Sequence, residues 1–389
     1  MQIAIIAEYN PLHNGHAYQI GQVRRAFGED ACITVILGGI FSQRGAPYMA
    51  PPYIRAEAAV HAGADLVLEL PFPFSAAPAS IFARAGVEIA VKMGADVLAF
   101  GSECGNTETL DTVLTRLDSS EMQKALTEAL QSAENAARGK TRLYPLLYKE
   151  LYGEDVPSLP NDILALEYLR TIRRMGASIK PYTVKRIGDY KSGAGGFASA
   201  TALRNAYAAS GIEAFKGEMP DAAYALFQKA ATDGLLAPDI EKLASAVLLK
   251  IHDTAENADI AFSGGGLLAR LRQSATEASS IAEVSALAAT KRYTDAEIAR
   301  CLLYTLLSVT RADLDAPVHY TRLLAMNERG RSVLRKKHPI EILTKPSATD
   351  KLSDAARTQY AKTFAAERAY ALCLDGAYDH MRQSPKIPK

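Results

Sequence analysis

Several residue types and patterns are scarce in this sequence, and each absence excludes a class of protein. Only four cysteines occur among 389 residues, and none forms a Cys-x-x-Cys pair. Three of them, Cys32, Cys301 and Cys373, lie in apolar runs, which favours reduced thiols in the cytosol over a disulfide framework. The sequence has no run of 18 apolar residues and no signal-peptide pattern. We therefore expect a cytoplasmic protein that does not enter a membrane.

An excess of charge of one sign is also lacking. The 44 Lys and Arg residues balance 43 Asp and Glu residues and leave a net charge of +1. This balance excludes an overall basic binder of the histone type, so any contact with RNA must come from a local patch. A Walker A loop is absent as well, which argues against ATP hydrolysis of the P-loop type. With 48% hydrophobic residues, the chain can form two domains or one large one.

The first 20 residues predict a strand followed by a helix. Ile3 to Ala7 is a β-branched, apolar run, typical of a central parallel strand. A polar turn, Glu8 to Asn14, follows it, and helical spacing begins at Gly15 or His16. Together these segments predict the first half of a βα unit.

The turn leads into two histidines, His13 and His16, at a spacing that places both on one helix face. Gly15 between them leaves room for a ligand close to the backbone. Free N–H groups at a helix N-terminus favour an anion. We therefore predict a nucleoside triphosphate site in which both histidines donate hydrogen bonds to phosphate oxygens. The alternatives are two ordinary polar side chains or a metal site, the latter disfavoured because no third ligand stands at zinc-like spacing.

Two later segments share one pattern and predict a parallel sheet. Gly63-Ala64-Asp65 and Gly94-Ala95-Asp96 each follow a helical segment and precede an apolar run. A glycine after a helix is a common C-terminal stop, and the apolar run is the next buried strand. With further strands at 32–37 and 179–184, right-handed crossovers give a doubly wound parallel sheet with helices on both faces.

Two further segments are candidates for ligand contact. The loop after the second predicted strand carries Arg44, which can reach a phosphate or a carboxylate, or remain a solvated arginine. A glycine-rich stretch, 188–198, leads into the helix start Ser199-Ala200-Thr201-Ala202-Leu203-Arg204. We predict that this segment closes over the triphosphate, with Ser199 and Thr201 on phosphate and Arg204 offsetting its charge. As an alternative, Ser199 is a plain N-cap.

The pattern changes near residue 216 and is helical from there on. Thr294-Asp295-Ala296-Glu297, for example, has the form of a capping box at a helix start. We therefore predict two domains: a doubly wound, Rossmann-like ATP-binding domain at 1–215 and an all-helical C-terminal domain at 216–389.

Several blocks of the chain resemble one family in a single order. His13-Asn14-Gly15-His16 resembles the first signature of the HIGH-type nucleotidyltransferase superfamily, and the segment from Ser199 to Arg204 resembles its second. The blocks similar to the tRNA(Met) cytidine acetate ligase family are Glu8-Tyr9-Asn10-Pro11-Leu12-His13-Asn14-Gly15-His16, Phe41-Ser42-Gln43-Arg44-Gly45, Gly63-Ala64-Asp65-Leu66-Val67-Leu68-Glu69-Leu70-Pro71 and Phe100-Gly101-Ser102-Glu103. Several matched blocks are far more specific than one motif.

The resemblance implies an enzyme that uses ATP to activate acetate as acetyl-adenylate, releasing pyrophosphate. The acetyl group would then pass to N4 of the wobble cytidine in elongator tRNA(Met). The implied ATP-binding residues are Ala7, Glu8, Tyr9, Asn10, Pro11, His13, Asn14, Gly15, His16, Ile20, Gly101, Asn161 and Arg186. Ser199 and Thr201 join them through the predicted closing segment. The candidate catalytic residues are His13, His16 and Arg204, with Arg44 as a contact to acetate or phosphate. Mg²⁺ is inferred with the triphosphate, and no protein metal site is expected.

Basic residues form two local clusters that are candidate RNA-binding faces. The first, between residues 163 and 191, contains Arg170, Arg173, Arg174, Lys180, Lys185, Arg186 and Lys191. Its alternative interpretation is a solvated helix face. The second is the better candidate for holding the backbone of tRNA(Met), through Lys291, Arg292, Arg331, Arg335, Lys336 and Lys337.

Two other functions fit the sequence. The protein could be a small-molecule adenylyltransferase of cofactor synthesis, with the helical domain serving for dimerisation. It could also be a catalytically inactive, nucleotide-sensing RNA-binding protein, since the chain departs from the family pattern at Ile40 and Pro52. The family has asparagine at the first position and lysine near the second. The sequence predicts no particular oligomeric state.

Overall fold

The computed structural model describes residues 1–132, 140–187, 196–255, 257–290 and 292–388, without the side chains of 140–142 and 346. Lys191 and Lys291 of the predicted RNA-binding faces therefore lie outside the described residues, as does 188–195 of the predicted closing segment. Within the described ranges, no helix has both the length and the apolar character needed to cross a membrane.

A seven-stranded sheet lies at the centre of the fold, with the strand order β5-β4-β1-β2-β3-β6-β7. The strands are β1 (Gln2–Ala7), β2 (Cys32–Gly38), β3 (Leu66–Leu70), β4 (Val97–Ser102), β5 (Lys180–Lys185), β6 (Tyr320–Met326) and β7 (Glu341–Leu343). The first five run parallel to one another. β6 pairs antiparallel with β3, and β7 pairs parallel with β6. The predicted doubly wound parallel sheet is confirmed.

Helices cover both faces of the sheet. Those of the N-terminal part are α1 (Asn14–Phe27), α2 (Pro52–His61), α3 (Ala79–Lys92), α4 (Thr107–Leu117), α5 (Ser120–Ala129), α6 (Lys140–Tyr152), α7 (Pro160–Met175) and α8 (Ala200–Ser210). The C-terminal part adds α9 (Asp221–Thr232), α10 (Ala244–Asp253), α11 (Leu267–Ala275), α12 (Ile281–Ala288), α13 (Asp295–Leu306), α14 (Arg311–Asp315), α15 (Glu328–Leu334) and α16 (Asp354–Cys373).

The central strand β1 is apolar on both sides because both sides are buried. Ala4 and Ile6 pack into a core that α3 and α7 cover. Ile3 and Ile5 pack into a second core on the opposite face, formed with α1, α2 and α9. This alternation follows from the two-residue period of a strand. A third core lies among α10–α13 and the end of α16, and includes residues of the loop after β2.

The C-terminal part is mainly helical, but the prediction of helices throughout is wrong for two segments. Tyr320–Met326 and Glu341–Leu343 are strands that extend the sheet beyond β3. Tyr320–Met326, with five apolar residues among seven, is too short for periodicity alone to distinguish a buried strand from a helical segment. Here, pairing with the free edge of β3 decides the outcome, because an uncovered edge strand leaves its backbone groups unpaired.

The helix starts also refine the predictions. α1 begins at Asn14, one residue before the predicted start, because His13 acts as its N-cap. α7 has Leu159 as its N-cap, and the proline at its first helical position, Pro160, sets the start. The predicted capping box of α13 is confirmed: Glu297 accepts the Thr294 N–H at 2.8 Å, and its own N–H donates to the Thr294 hydroxyl at 3.3 Å.

Candidate active site

The carboxyl ends of β1 and β4 lie side by side where the strand order reverses, with β2 on the other side of β1. Open α/β sheets bind ligands at such a point. A cavity of about 780 Å³ opens there. Ala7 and Glu8 line it from the end of β1, and Phe100 and Gly101 line it from the end of β4. The sheet topology thus fixes the position of the candidate site.

His13 and His16 line this cavity and cap the first turn of α1 in both directions. The Nδ1 atom of His13 accepts the N–H of Gly15 at 3.1 Å, and the Nδ1 atom of His16 accepts the N–H of His13 at 3.3 Å. Their ring centroids are 3.8 Å apart. In a neutral imidazole one nitrogen accepts and the other carries the proton. The proton of each neutral ring is therefore on Nε2, which leaves two N–H donors for a ligand.

The electrostatic surroundings keep both rings neutral. Burial, together with the nearby positive charge of Arg186, lowers the pKa of His13 to about 4. Burial also lowers the pKa of His16 well below its ordinary value, with further contributions from His13 and Arg186. At neutral pH the pair consists of two uncharged donors beside an arginine. Such a pair can stabilise charge that develops on phosphate oxygens without presenting two adjacent cations.

The turn between β1 and α1 is tied to the loop that carries Arg44. The Oε1 atom of Glu8 accepts the Tyr48 hydroxyl at 3.0 Å and the N–H of Gln43 at 3.2 Å. Asn10 accepts the N–H of Met49 through Oδ1 at 2.7 Å. These contacts hold the turn and the loop together at the edge of the cavity.

Arg55, which belongs to no recognised motif, connects the turn after β1 to the end of β2 and the loop that follows it. Its buried guanidinium donates to the carbonyl oxygens of Glu8 at 2.7 Å, Gly38 at 2.8 Å and Ala50 at 2.9 Å, and also to Gly39. One side chain thus satisfies backbone acceptors at the ends of both β1 and β2. An arginine inside a helix pattern gives no sequence signal for this role, which depends on contacts with residues far along the chain.

Arg44 lines the cavity, and the C-terminal part of the chain holds its loop in place. Arg300 of α13 donates through Nη1 to the carbonyl of Gln43 at 2.6 Å. Gly45, with φ of +73°, lies so close to α13 that a Cβ atom would be 2.7 Å from Ala299 C and Arg300 N. The loop therefore packs directly on this helix.

The segment from Ser199 to Arg204 approaches the cavity from the other side. Ser199 is the N-cap of α8, as its alternative interpretation states, and accepts the N–H of Ala202 at 3.1 Å. It also lines the cavity, as do Thr201 and Arg204. Arg204 donates to the carbonyl of Asn10 at 2.6 Å and to the Thr201 hydroxyl at 3.0 Å. The histidine turn and this segment are therefore in direct contact around one cavity.

Most of the other predicted ATP-binding residues also line the cavity: Tyr9, Asn10, Gly15, Asn161 and Arg186. Asn161 donates to the Glu103 carboxylate at 2.7 Å, which gives Glu103 a structural partner. Three predicted residues do not line it. Pro11 is buried in the turn, Ile20 packs in the core, and Asn14 donates to the carbonyl of Gly217 at 2.8 Å. The structure turns their side chains toward the protein rather than the cavity.

Sequence reasoning missed an apolar part of the cavity. Phe82 from α3 and Tyr168 from α7 line it together with Phe100, and the rings of Phe100 and Tyr168 lie 5.7 Å apart between centroids. The hydroxyl of Tyr168 is buried and has no hydrogen-bond partner among the described residues. Aromatic residues in apolar segments are typical of a hydrophobic core. The sequence therefore does not distinguish these three from ordinary core residues.

Parts of the two basic clusters lie at opposite edges of the sheet. Lys185 and Arg186 of the first line the cavity, at the carboxyl end of β5. Arg331, Arg335, Lys336 and Lys337 of the second lie on or just after α15. The residue before this helix, Asn327, donates its N–H to the carbonyl of Asp65, at the amino end of β3. Arg335, Lys336 and Lys337 are exposed there, far from the strand ends that form the cavity. Arg292 lies outside the cavity lining, just before α13.

Comparison with known proteins identifies the family. The sequence matches the profile of the HIGH Nucleotidyl Transferase family over residues 1–385. It is 30% identical to the tRNA(Met) cytidine acetate ligase of Thermoanaerobacter sp. (strain X514) over 365 residues, which cover 90% of each chain. The chain belongs to the tRNA(Met) cytidine acetate ligase family. The recognition made from the sequence blocks is confirmed, and the chain is an enzyme of this family.

Two further members of the family support this result. The chain is 33% identical to the tRNA(Met) cytidine acetate ligase of Syntrophotalea carbinolica over 361 residues, covering 88% of this chain and 84% of the relative. The crystal structure of Thermotoga maritima TmcAL bound with alpha-thio ATP matches with a TM-score of 0.87 and 25% identity over 99% of both chains. The family fold thus extends over the whole described chain, and an ATP analogue binds that neighbour.

Proposed function

We propose that this enzyme activates acetate as acetyl-adenylate and transfers the acetyl group to N4 of the wobble cytidine of elongator tRNA(Met). The observation that carries the proposal is the pair of neutral histidines at the switch point of the sheet, opposite Ser199 and Arg204. This arrangement suits the phosphates of ATP. The names of the relatives support acetate and tRNA(Met) as the other substrates.

In the first step, an acetate oxygen attacks the α-phosphorus of ATP. A new P–O bond forms, the bond from the α-phosphorus to the bridging oxygen of pyrophosphate breaks, and pyrophosphate leaves with the electron pair. Negative charge shifts among the phosphate oxygens during this exchange, and fixed donors stabilise it most when they need no rearrangement. The Nε2–H groups of His13 and His16 are such donors. Arg204 and Arg44 would offset the charge of the phosphates and of acetate.

Mg²⁺ would accompany the triphosphate. Among the described residues, no group of three or more His, Cys, Asp or Glu side chains is arranged to hold a metal ion. Mg²⁺ commonly binds through substrate phosphates and one or two carboxylates, so the nucleotide itself would supply most of its ligands. The ion would neutralise part of the charge on the departing pyrophosphate.

The alternative of an inactive nucleotide sensor was based on the departures from the family pattern at Ile40 and Pro52. Ile40 is fully buried in the third core, and Pro52 is buried at the first position of α2. Neither residue lines the cavity, so neither replaces a polar group at the candidate site. A small-molecule adenylyltransferase would differ from the proposed ligase in its product, a stable dinucleotide made without RNA.

One experiment tests the proposal. The protein is incubated with ATP, labelled acetate and bulk tRNA, and acetate-dependent exchange of pyrophosphate into ATP is measured in parallel. We expect exchange without RNA and label in the tRNA fraction as N4-acetylcytidine. Exchange that depends on a different small molecule, with no label in RNA, would instead identify an adenylyltransferase.

A division of labour between the two basic clusters follows from the proposal. We expect Lys336→Ala combined with Lys337→Ala to weaken tRNA binding and to reduce its salt dependence, since phosphate contacts release counterions. Pyrophosphate exchange should stay close to the wild-type rate because these lysines lie at the opposite edge of the sheet. Equal losses of tRNA binding and exchange in this variant would contradict the division.

A further inference from the structure

Transfer of the acetyl group to cytidine, which presupposes the proposed function, requires a group that accepts the proton of the amine. When the N4 nitrogen attacks the acetyl carbonyl, it acquires positive charge and becomes a strong acid. A carboxylate is then basic enough to take the proton. The described residues that line the cavity include two carboxylates, Glu8 and Asp239.

The histidines, the buried tyrosines, the lysine and the arginines that line the cavity are unsuited to this task. His13 and His16 accept backbone N–H groups at Nδ1 and carry their protons at Nε2, so neither neutral ring has a free lone pair. Burial raises the pKa of Tyr9 and of Tyr168, so both phenols remain protonated at neutral pH. Lys185 and the arginines donate hydrogen bonds and have no acceptor atom for a proton.

Glu8 and Asp239 differ in how they are held. Asp239 is exposed, and its Oδ1 atom accepts the N–H of Glu241 at 3.0 Å as the cap of a short turn. Glu8 directly follows β1, and its Oε1 atom is fixed by Tyr48 and Gln43 at 3.0 and 3.2 Å. Its Oε2 atom forms no hydrogen bond with the described residues. Two contacts on one oxygen thus orient the carboxylate and leave the lone pairs of the other available.

We infer that Glu8 is the general base of acetyl transfer. The N4 nitrogen forms a bond to the acetyl carbon, and the proton of N4 passes to Oε2 of Glu8. The C–O bond to the phosphate then breaks, and AMP leaves with the electron pair. The products are N4-acetylcytidine and AMP, and Glu8 returns its proton to solvent after they dissociate.

The test bypasses the first step by supplying synthetic acetyl-adenylate together with tRNA(Met). Glu8→Gln keeps the side-chain length and an oxygen that can accept from Tyr48 and Gln43, but it removes the base. Transfer in a single turnover should fall by about 10² to 10⁴-fold, the usual contribution of a general base. Acetate-dependent pyrophosphate exchange, which does not need this base, should fall by at least about tenfold less than transfer does. Glu8→Asp retains a carboxylate and should recover at least about tenfold of the lost transfer rate.

Three results would overturn the inference. One is an equal loss of exchange and transfer in Glu8→Gln, which would assign Glu8 to nucleotide binding or to the fold. Another is a Glu8→Asp variant that folds but transfers no faster than Glu8→Gln. The third is loss of transfer in Asp239→Asn while Glu8→Gln remains active. If wild-type protein transfers nothing from acetyl-adenylate to tRNA, the proposed function fails instead, and the two failures are distinguished.

Discussion

At the scale of single residues, each histidine of the pair has two functions. Its Nδ1 atom satisfies a backbone N–H at the start of α1, and its Nε2–H group remains for a ligand. The capping role fixes the tautomer, and burial with the nearby Arg186 keeps the rings neutral. The same contacts that begin the helix therefore prepare the candidate site.

We predict that His16→Ala lowers acetate-dependent pyrophosphate exchange by about 10² to 10³-fold, the usual effect of losing one donor to developing charge. His61→Ala is the matched control, because His61 is exposed at the end of α2 and does not line the cavity. Exchange measured with labelled pyrophosphate distinguishes the two variants. A similar rate for both would exclude His16 from the chemistry.

The stability of the fold should depend on pH through His13. The unfolded chain binds a proton at this histidine near pH 6.5, whereas the folded chain binds it only near pH 4. The unfolded state thus holds more protons between these values, so stability falls as the pH is lowered through this window. We expect a loss of about 2 kcal/mol from His13 between pH 7 and pH 5. Urea unfolding of wild type and His13→Asn, which retains a capping side chain, should show a smaller decrease in the variant. Parallel pH curves would contradict this expectation.

At the scale of secondary-structure elements, the loop that carries Arg44 depends on α13. Arg300 donates to the carbonyl of Gln43, and Gly45 permits close contact between the loop and the helix backbone. An element from the C-terminal part of the chain thus positions a candidate ligand contact of the N-terminal sheet. The site is assembled by both parts.

Gly45→Ala tests this packing. Its matched control is Gly94→Ala, because the two glycines have φ of +73° and +75°, but a Cβ atom on Gly94 would meet no other atom within 4 Å. Both variants incur the cost of a left-handed backbone, and only Gly45→Ala adds a clash with α13. We predict that Gly45→Ala is less stable than Gly94→Ala by about 1–3 kcal/mol and has a higher KM for acetate. Unfolding curves and initial rates provide the measurement, and equal behaviour of the two variants would show that the contact is not required.

At the scale of the whole molecule, a buried ionic cluster joins the N-terminal sheet to α16. Arg322 of β6 lies 2.9 Å from Glu69 of β3 and 2.7 Å from Glu367 of α16, and all three side chains are fully buried. Burial raises the pKa of Glu69 to about 7. The two ion pairs join Arg322 to residues that lie 253 and 45 positions away in the sequence. A buried cluster of this kind depends on all of its members, since removing one leaves an uncompensated charge.

We predict that Arg322→Leu destabilises the protein by about 3–5 kcal/mol, since it leaves two carboxylates buried without their cation. Adding Glu69→Met and Glu367→Met should restore most of the loss, because an apolar cluster of similar volume needs no counter-charge. Urea unfolding of the single and triple variants decides between these outcomes. A triple variant as unstable as Arg322→Leu would show that the loss comes from packing rather than charge.

Local sequence patterns were sufficient to predict the parallel sheet, the helices that precede the two Gly-Ala-Asp segments, and the position of the histidine turn. Each of these features depends on residues that are close in sequence: the periodicity of buried residues, a glycine that ends a helix, or a side chain that caps a helix. Ile20 and Asn14 were assigned to the site through the family resemblance, yet in the structure Ile20 packs in the core and Asn14 donates to the carbonyl of Gly217.

The sequence by itself determined the strand, turn and helix that present His13 and His16, because the physical causes act within a few residues. Tertiary structure alone decided the shape of the cavity and the joining of β6 to the sheet. The contacts responsible, Arg204 with Asn10, Arg300 with Gln43 and Arg322 with Glu69, span 194, 257 and 253 residues. Such pairs form only after the sheet has brought distant segments together, and no local pattern encodes them.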